Sequence, residues 1–120
     1  NLHPDADEAK TAVAREAAVR MDLLRERGYN RARCLDTVNF LKLALRTCNP
    51  SDAEAIRVAL AEAEELMAEE SYRSAKFYDS RTRTKRSAVA AYERFLNEFP
   101  ASAHADEVRA RLEQLKGELQ

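Results

Sequence analysis

The sequence predicts an all-α protein of about five helices, folded as antiparallel helix pairs in a single domain spanning residues 1–120, and three observations predict it. Glycine and proline number only two and three in 120 residues, while alanine, leucine, glutamate and arginine recur throughout, a mixture that favours helix. Apolar residues return at three- and four-residue spacing in separate stretches, which lines one face of each helix. The prolines stand at the expected joints, where the missing N–H and the restriction on the preceding residue stop a helix.

The first helix is expected after His3-Pro4, with Asp5 as its cap and Glu8 completing a capping box. Ala9, Val13, Ala17, Met21 and Leu24 share one face, and Gly28 with Tyr29-Asn30 forms the turn that ends it. A second helix, about 31–47, carries the stripe Leu35, Val38, Leu41, Leu45, widened by Phe40 and Ala44, and Asn49-Pro50 closes it. Ser51 and Glu54 form a second capping box opening a long third helix to about Asp79. Its packing series is Ile56, Leu60, Ala63, Met67, Ser71 or Ser74, Ala75 and Tyr78. The polar, basic segment 80–87 contains the next turn. Helix four, about 88–97, carries Ala88, Ala91, Tyr92, Phe95 and Leu96, and Pro100 terminates it. Ser102 is the expected cap of helix five, whose stripe is Val108, Leu112, Leu115 and Leu119. This layout groups residues 5–49 and 51–100 as two helix pairs, with 102–119 as a terminal helix.

Composition narrows the function classes. Twenty basic and 21 acidic residues give a formal charge of −1, so no global field draws the chain to nucleic acid or an anionic bilayer. No stretch approaches the roughly 20 consecutive apolar residues of a spanning helix, so no transmembrane segment is expected. The chain begins at Asn1 without a signal sequence or lipid-attachment cysteine, which leaves localisation open. Cys34 and Cys48 are 14 residues apart. On one helix that is about 21 Å of rise, beyond disulfide reach, so two unpaired thiols are expected.

A repeat lies within the pattern. Pro4, Pro50 and Pro100 phase three helix starts, 46 and then 50 residues apart. Helix four carries Ala88, then Tyr92 four residues on, Phe95 three later and Pro100 at the close, which matches the tetratricopeptide pattern. The physical reason for such a pattern is close helix pairing, in which a small residue admits a neighbouring helix and aromatics fill the groove. The stretch from Pro50-Ser51 through Ala75, Phe77 and Tyr78, followed by Ala90-Ala91-Tyr92, Phe95 and Phe99-Pro100, resembles the later repeats of the tetratricopeptide-repeat lipoproteins of outer-membrane protein assembly. The resemblance covers about residues 50–115. It implies a short right-handed solenoid, partners among the outer-membrane assembly components and a place at the periplasmic face of the outer membrane. The connection after Tyr78 is longer than the usual turn of that family and lacks its glycine. The chain is also too short for the five repeats of a complete member, so a fragment and a shortened relative with another partner both remain open.

The residues present no reaction centre. Expected catalytic, cofactor-binding and metal-ligating residues are therefore none. His3 falls at a terminus and His104 in the first turn of helix five, and the histidines and cysteines lack metal-ligand spacing. No phosphate loop, dinucleotide fingerprint or nucleophile elbow occurs. Adjacent carboxylates such as Glu64-Glu65 and Glu69-Glu70 diverge on a helix.

Charge order is more informative. Between Asp52 and Glu70 there are seven acidic residues and one basic; between Arg73 and Arg86 there are six basic residues and only Asp79 acidic. The helix dipole accounts for cations at the end of helix three, but Arg81, Arg83, Lys85 and Arg86 occupy the connection beyond it, so they are candidate partner-binding residues. The leading expectation is a noncatalytic scaffold that docks another protein, with this turn making one contact. The alternatives are a regulatory domain binding an anionic macromolecule through the same turn and, less favoured, a small helical enzyme. Neutral charge and missing aromatic interleaving disfavour nucleic acid.

Overall fold

The computed structural model describes residues 4–119, with side chains from Glu8 onward. The described chain is all-helical, with no strand: α1 (Pro4–Arg27), α2 (Arg31–Thr47), α3 (Ala53–Asp79), α4 (Lys85–Glu98) and α5 (Ala105–Glu118), with single 3-10 turns at Pro50–Asp52 and Thr82–Thr84. No described helix is long and apolar enough to cross a membrane. The Asp5–Glu8 capping box and His3 lie outside the described residues or side chains. The chain divides into two compact units, residues 1–66 and 67–120, with the boundary inside α3.

In the first unit, α1 stops at Gly28, whose φ of 74° is left-handed and therefore suits glycine. Asn30 then caps α2, its side-chain oxygen accepting the Arg33 N–H at 2.9 Å. The three-residue link turns α2 back against α1. Ala17, Met21 and Leu24 meet Cys34, Val38, Leu41 and Ala44 in the core, with Ile56 and Ala63 supplied by α3. A bidentate pair ties α1 to α3, Arg25 donating to the two Glu62 oxygens at 2.8 and 2.7 Å.

The buried face of α2 differs from the expected stripe. Leu35 is exposed, while Cys34 and Thr37 are buried. Counted from Leu41, positions 34, 37, 38 and 44 fall on one face; Leu35, six residues away, lies about 120° round the helix. Burial of Thr37 leaves no orphan because its hydroxyl donates to the Arg33 carbonyl at 2.9 Å. Both cysteines belong to α2, Cys34 in its interior and Cys48 as its C-cap.

Pro50 starts a 3-10 turn rather than preceding an α-helical cap, so α3 begins at Ala53 and Ser51 lies within that turn. Glu54 turns to Arg57 at 3.2 Å instead of back to Ser51.

In the second unit, Ala68 and Ala75 of α3, Ala88, Ala91, Tyr92 and Phe95 of α4, and Val108, Leu112 and Leu115 of α5 form one core, with Tyr72, Leu96 and Phe99 packed against it. Alanines let the backbones approach, and Tyr92 and Phe95 fill the space between them. Phe77 and Tyr78, expected in this packing, are exposed instead. Tyr72 takes the place expected of Tyr78, its ring 6.2 Å from that of Phe95, because Tyr72 shares the face of Ala68 and Ala75. Phe99 caps α4 before Pro100. Helix α5 starts three residues after Ser102, whose hydroxyl accepts the His104 N–H at 3.2 Å within the turn.

Candidate functional site

The turn after α3 is built on the last carbonyls of that helix, which have no intrahelical partner. Here the turn supplies one for each. The Ser80 N–H donates to the Lys76 carbonyl at 2.9 Å and its hydroxyl to the Phe77 carbonyl at 2.7 Å. The Thr84 hydroxyl donates to the Tyr78 carbonyl at 2.6 Å. The Lys85 ammonium donates to the Asp79 carbonyl. Two hydroxyls and a cation, read from the sequence as polar linker, thus terminate the helix.

Beneath the turn, Asp79 gathers three elements. Its carboxylate accepts from Lys85 Nζ at 2.9 Å, from the Tyr92 hydroxyl at 2.8 Å, and from Arg111 Nε and Nη2 at 2.8 Å each. A carboxylate offers about four lone-pair sites, and these four donors occupy them. The Asp79 side chain is only 10% exposed. The Arg111 guanidinium, with Lys85 and Tyr92, holds its carboxyl well below the usual carboxylate range against the opposing effect of burial. The Arg111 pKa is raised by the same fork, and burial together with the bond to Asp79 pushes the Tyr92 phenol up. A carboxylate so saturated has no free lone pair with which to take a substrate proton.

A second cluster surrounds Tyr72. Its hydroxyl donates to Glu107 of α5, a bond that, with burial and the nearby carboxylates, pushes its pKa up to about 12. His104 stacks on the Tyr72 ring with centroids 3.8 Å apart, and its Nε2 lies 2.7 Å from Glu69 Oε2. His104 stands at the N-cap position of α5, and its ring ties the α4–α5 turn to α3. No group of three metal-ligating side chains occurs among the described residues.

These contacts sort the six cations of the basic run. Arg73 pairs with Glu70 at 3.4 Å, Lys76 with Glu107 at 3.8 Å and Lys85 with Asp79. Arg81, Arg83 and Arg86 are exposed and pair with no carboxylate among the described residues. Arg81 lies over the Phe77 ring, 4.3 Å from its centroid. Of the four candidate residues, the structure therefore assigns Lys85 to the clasp and leaves three arginines on its outside. Sequence reasoning missed Asp79, Tyr72 and Arg111. Asp79 carried a signal, since it is the one acidic residue in the run; Arg111 carried none, because its role depends on the packing of α5 beside α3.

Compared with known proteins, the chain matches no family model, no curated protein and no solved structure.

Proposed function

We propose that this chain is a noncatalytic helical-repeat scaffold that docks another protein, with the turn after α3 as one contact. The observation that carries the reading is the trio Arg81, Arg83 and Arg86, exposed and without carboxylate partners among the described residues, at a turn and helix start whose base is fastened by the α3 carbonyls and Asp79. Cations held in position lose less freedom on binding than cations on a loose loop. They speed encounter and orient a partner.

The proposal extends to architecture and origin. Helix pairs joined by short turns, with alanines opposite aromatics in the core formed by α3, α4 and α5, support tetratricopeptide-like pairing in a right-handed solenoid. The resemblance to outer-membrane assembly lipoproteins adds a candidate location, the periplasmic face of the outer membrane, and candidate partners among the assembly components. An upstream signal and a lipid-attachment cysteine in the complete gene would favour that location.

The test is charge reversal of Arg81, Arg83 and Arg86 to glutamate. Lys85 is spared because a carboxylate there would face Asp79. Helicity and thermal midpoint should match the parent, while cross-linked capture of the cellular partner falls and the association rate loses its salt dependence between 50 and 200 mM salt. A folded variant with parental capture and association rate at both salts removes the turn from the docking surface. Capture of nucleic acid in place of protein would favour the anionic-macromolecule reading.

A further inference from the structure

The arginines do not stand alone. Phe77 and Tyr78, adjacent on the last turn of α3, are 52% and 36% exposed, with ring centroids 5.8 Å apart at 70°. Single exposed apolar residues need no explanation, but two large rings, one of them covered by the Arg81 guanidinium, combine residue types concentrated at binding hot spots. The rings are also held. Their backbone carbonyls accept the Ser80 and Thr84 hydroxyls at 2.7 and 2.6 Å, and the Arg81 guanidinium covers the Phe77 face at 4.3 Å. A stacked guanidinium keeps its N–H edge free, and that edge matches a carboxylate in bidentate geometry.

We propose that this site receives an acidic peptide segment carrying an aromatic or aliphatic side chain, which lies against Phe77 and Tyr78 while neighbouring carboxylates pair with the arginines of the turn. The inference rests on the docking reading above and names the chemistry of its partner. Charge complementarity selects an acidic occupant. Exposed ion pairs contribute little individually, so apolar contact with the rings supplies the persistence that charge alone lacks. Single-stranded nucleic acid also combines negative charge with flat apolar groups, yet it is bound along a track of cations that follows successive phosphates. Here the two cations nearest the rings on α3 are engaged, Arg73 with Glu70 and Lys76 with Glu107, so they extend no such track. Arg81 and Arg83 in the turn, with Arg86 at the start of α4, suit a few carboxylates.

The experiment uses the whole chain and three fluorescein-labelled dodecapeptides, in anisotropy titrations at 50 mM salt. One alternates glutamate with phenylalanine and leucine, one is polyglutamate, and one has the first peptide's glutamates replaced by glutamine. A twelve-nucleotide oligothymidylate is the fourth probe. The mixed peptide should bind about tenfold or more tightly than either peptide control and than the oligonucleotide. Phe77→Ala, at an exposed position, should weaken it about tenfold with no change in thermal midpoint. Arg81→Glu with Arg83→Glu should do the same and flatten the salt dependence. Equal binding of polyglutamate, parental binding by the folded Phe77→Ala variant, or no binding of the mixed peptide at millimolar concentration overturns the proposal, and tighter binding of oligothymidylate overturns it in favour of nucleic acid. If every peptide fails while the triple reversal still abolishes capture of the cellular protein, the docking reading stands and the proposed partner chemistry falls.

Discussion

Replacing Asp79 by asparagine probes the clasp that holds the turn, because it keeps the shape of the side chain and removes its charge. Each hydrogen bond to a charged group contributes about 1.5–3 kcal/mol in net terms, but the four here share one acceptor and do not add. Lys85 and Arg111 are 25% and 31% exposed, so both can turn partly to water when the charge is gone. The Tyr92 phenol cannot, being 1% exposed. The loss should therefore be about 3 kcal/mol for Asp79→Asn, and about 1–2 kcal/mol more for Asp79→Ala, which strands the phenol. Urea unfolding followed by circular dichroism at 222 nm reads this directly, since the chain has no tryptophan. A double-mutant cycle with Arg111→Gln should give a coupling of at least about 1.5 kcal/mol.

The same pair of proteins supplies a pH test. Folding lowers the Asp79 pKa, so its contribution is fully present above the unfolded value of about 4 and is lost as pH falls from there toward the folded value. The stability gap between parent and Asp79→Asn should thus be constant from pH 7 to about pH 5 and close progressively below about pH 4. Equal stability at pH 7, or a gap that does not shrink in acid, would refute the clasp.

Three further outcomes follow from the second core and the thiols. Phe95→Ala should cost about 3–5 kcal/mol, as this ring is fully buried among α3, α4 and α5; an unchanged denaturation midpoint rejects the packing. Tyr72 should ionise only near pH 12, so its stabilising bond to Glu107 is intact below about pH 10 and lost between there and about pH 12; Tyr72→Phe should remove that step from alkaline unfolding, and a phenol titrating near 10 would contradict it. In the native protein iodoacetamide should label the half-buried Cys48 well before Cys34, which is buried with its pKa raised by burial; a two-hydrogen mass loss mapped to this pair would overturn the view that both remain thiols.

The helices were legible because their signals are local. Three- and four-residue spacing, Gly28, Pro50 and Pro100 mark faces and stops that depend on little beyond neighbours in the chain. Register within a face was less so: Leu35 outranks Thr37 in hydrophobicity, yet Thr37 is buried, because a hydroxyl bonded to its own helix costs little inside. Caps failed for a related reason. Ser51 and Ser102 have the right chemistry near helix starts, but 3-10 and irregular turns intervene and shift the α-helical starts to Ala53 and Ala105.

The basic turn was found and its construction was not, and the difference lies in what a linear charge count can carry. The charge count set the helix-end cations apart but left Arg81, Arg83, Lys85 and Arg86 as one group, whereas tertiary contacts split that group into a paired Lys85 and three exposed arginines. Part of that split could have been read. Asp79 stands four residues after Ala75 and seven after Tyr72, on the packing face of α3. A carboxylate on a packing face has to meet donors or stay protonated, and Lys76, Arg81, Arg83 and Lys85 all lie within six residues of it. That reasoning commits one nearby cation to Asp79, and the contact that makes it Lys85 comes from the turn's fold. It does not supply Arg111, 32 residues away, whose guanidinium reaches Asp79 only once α5 lies beside the end of α3.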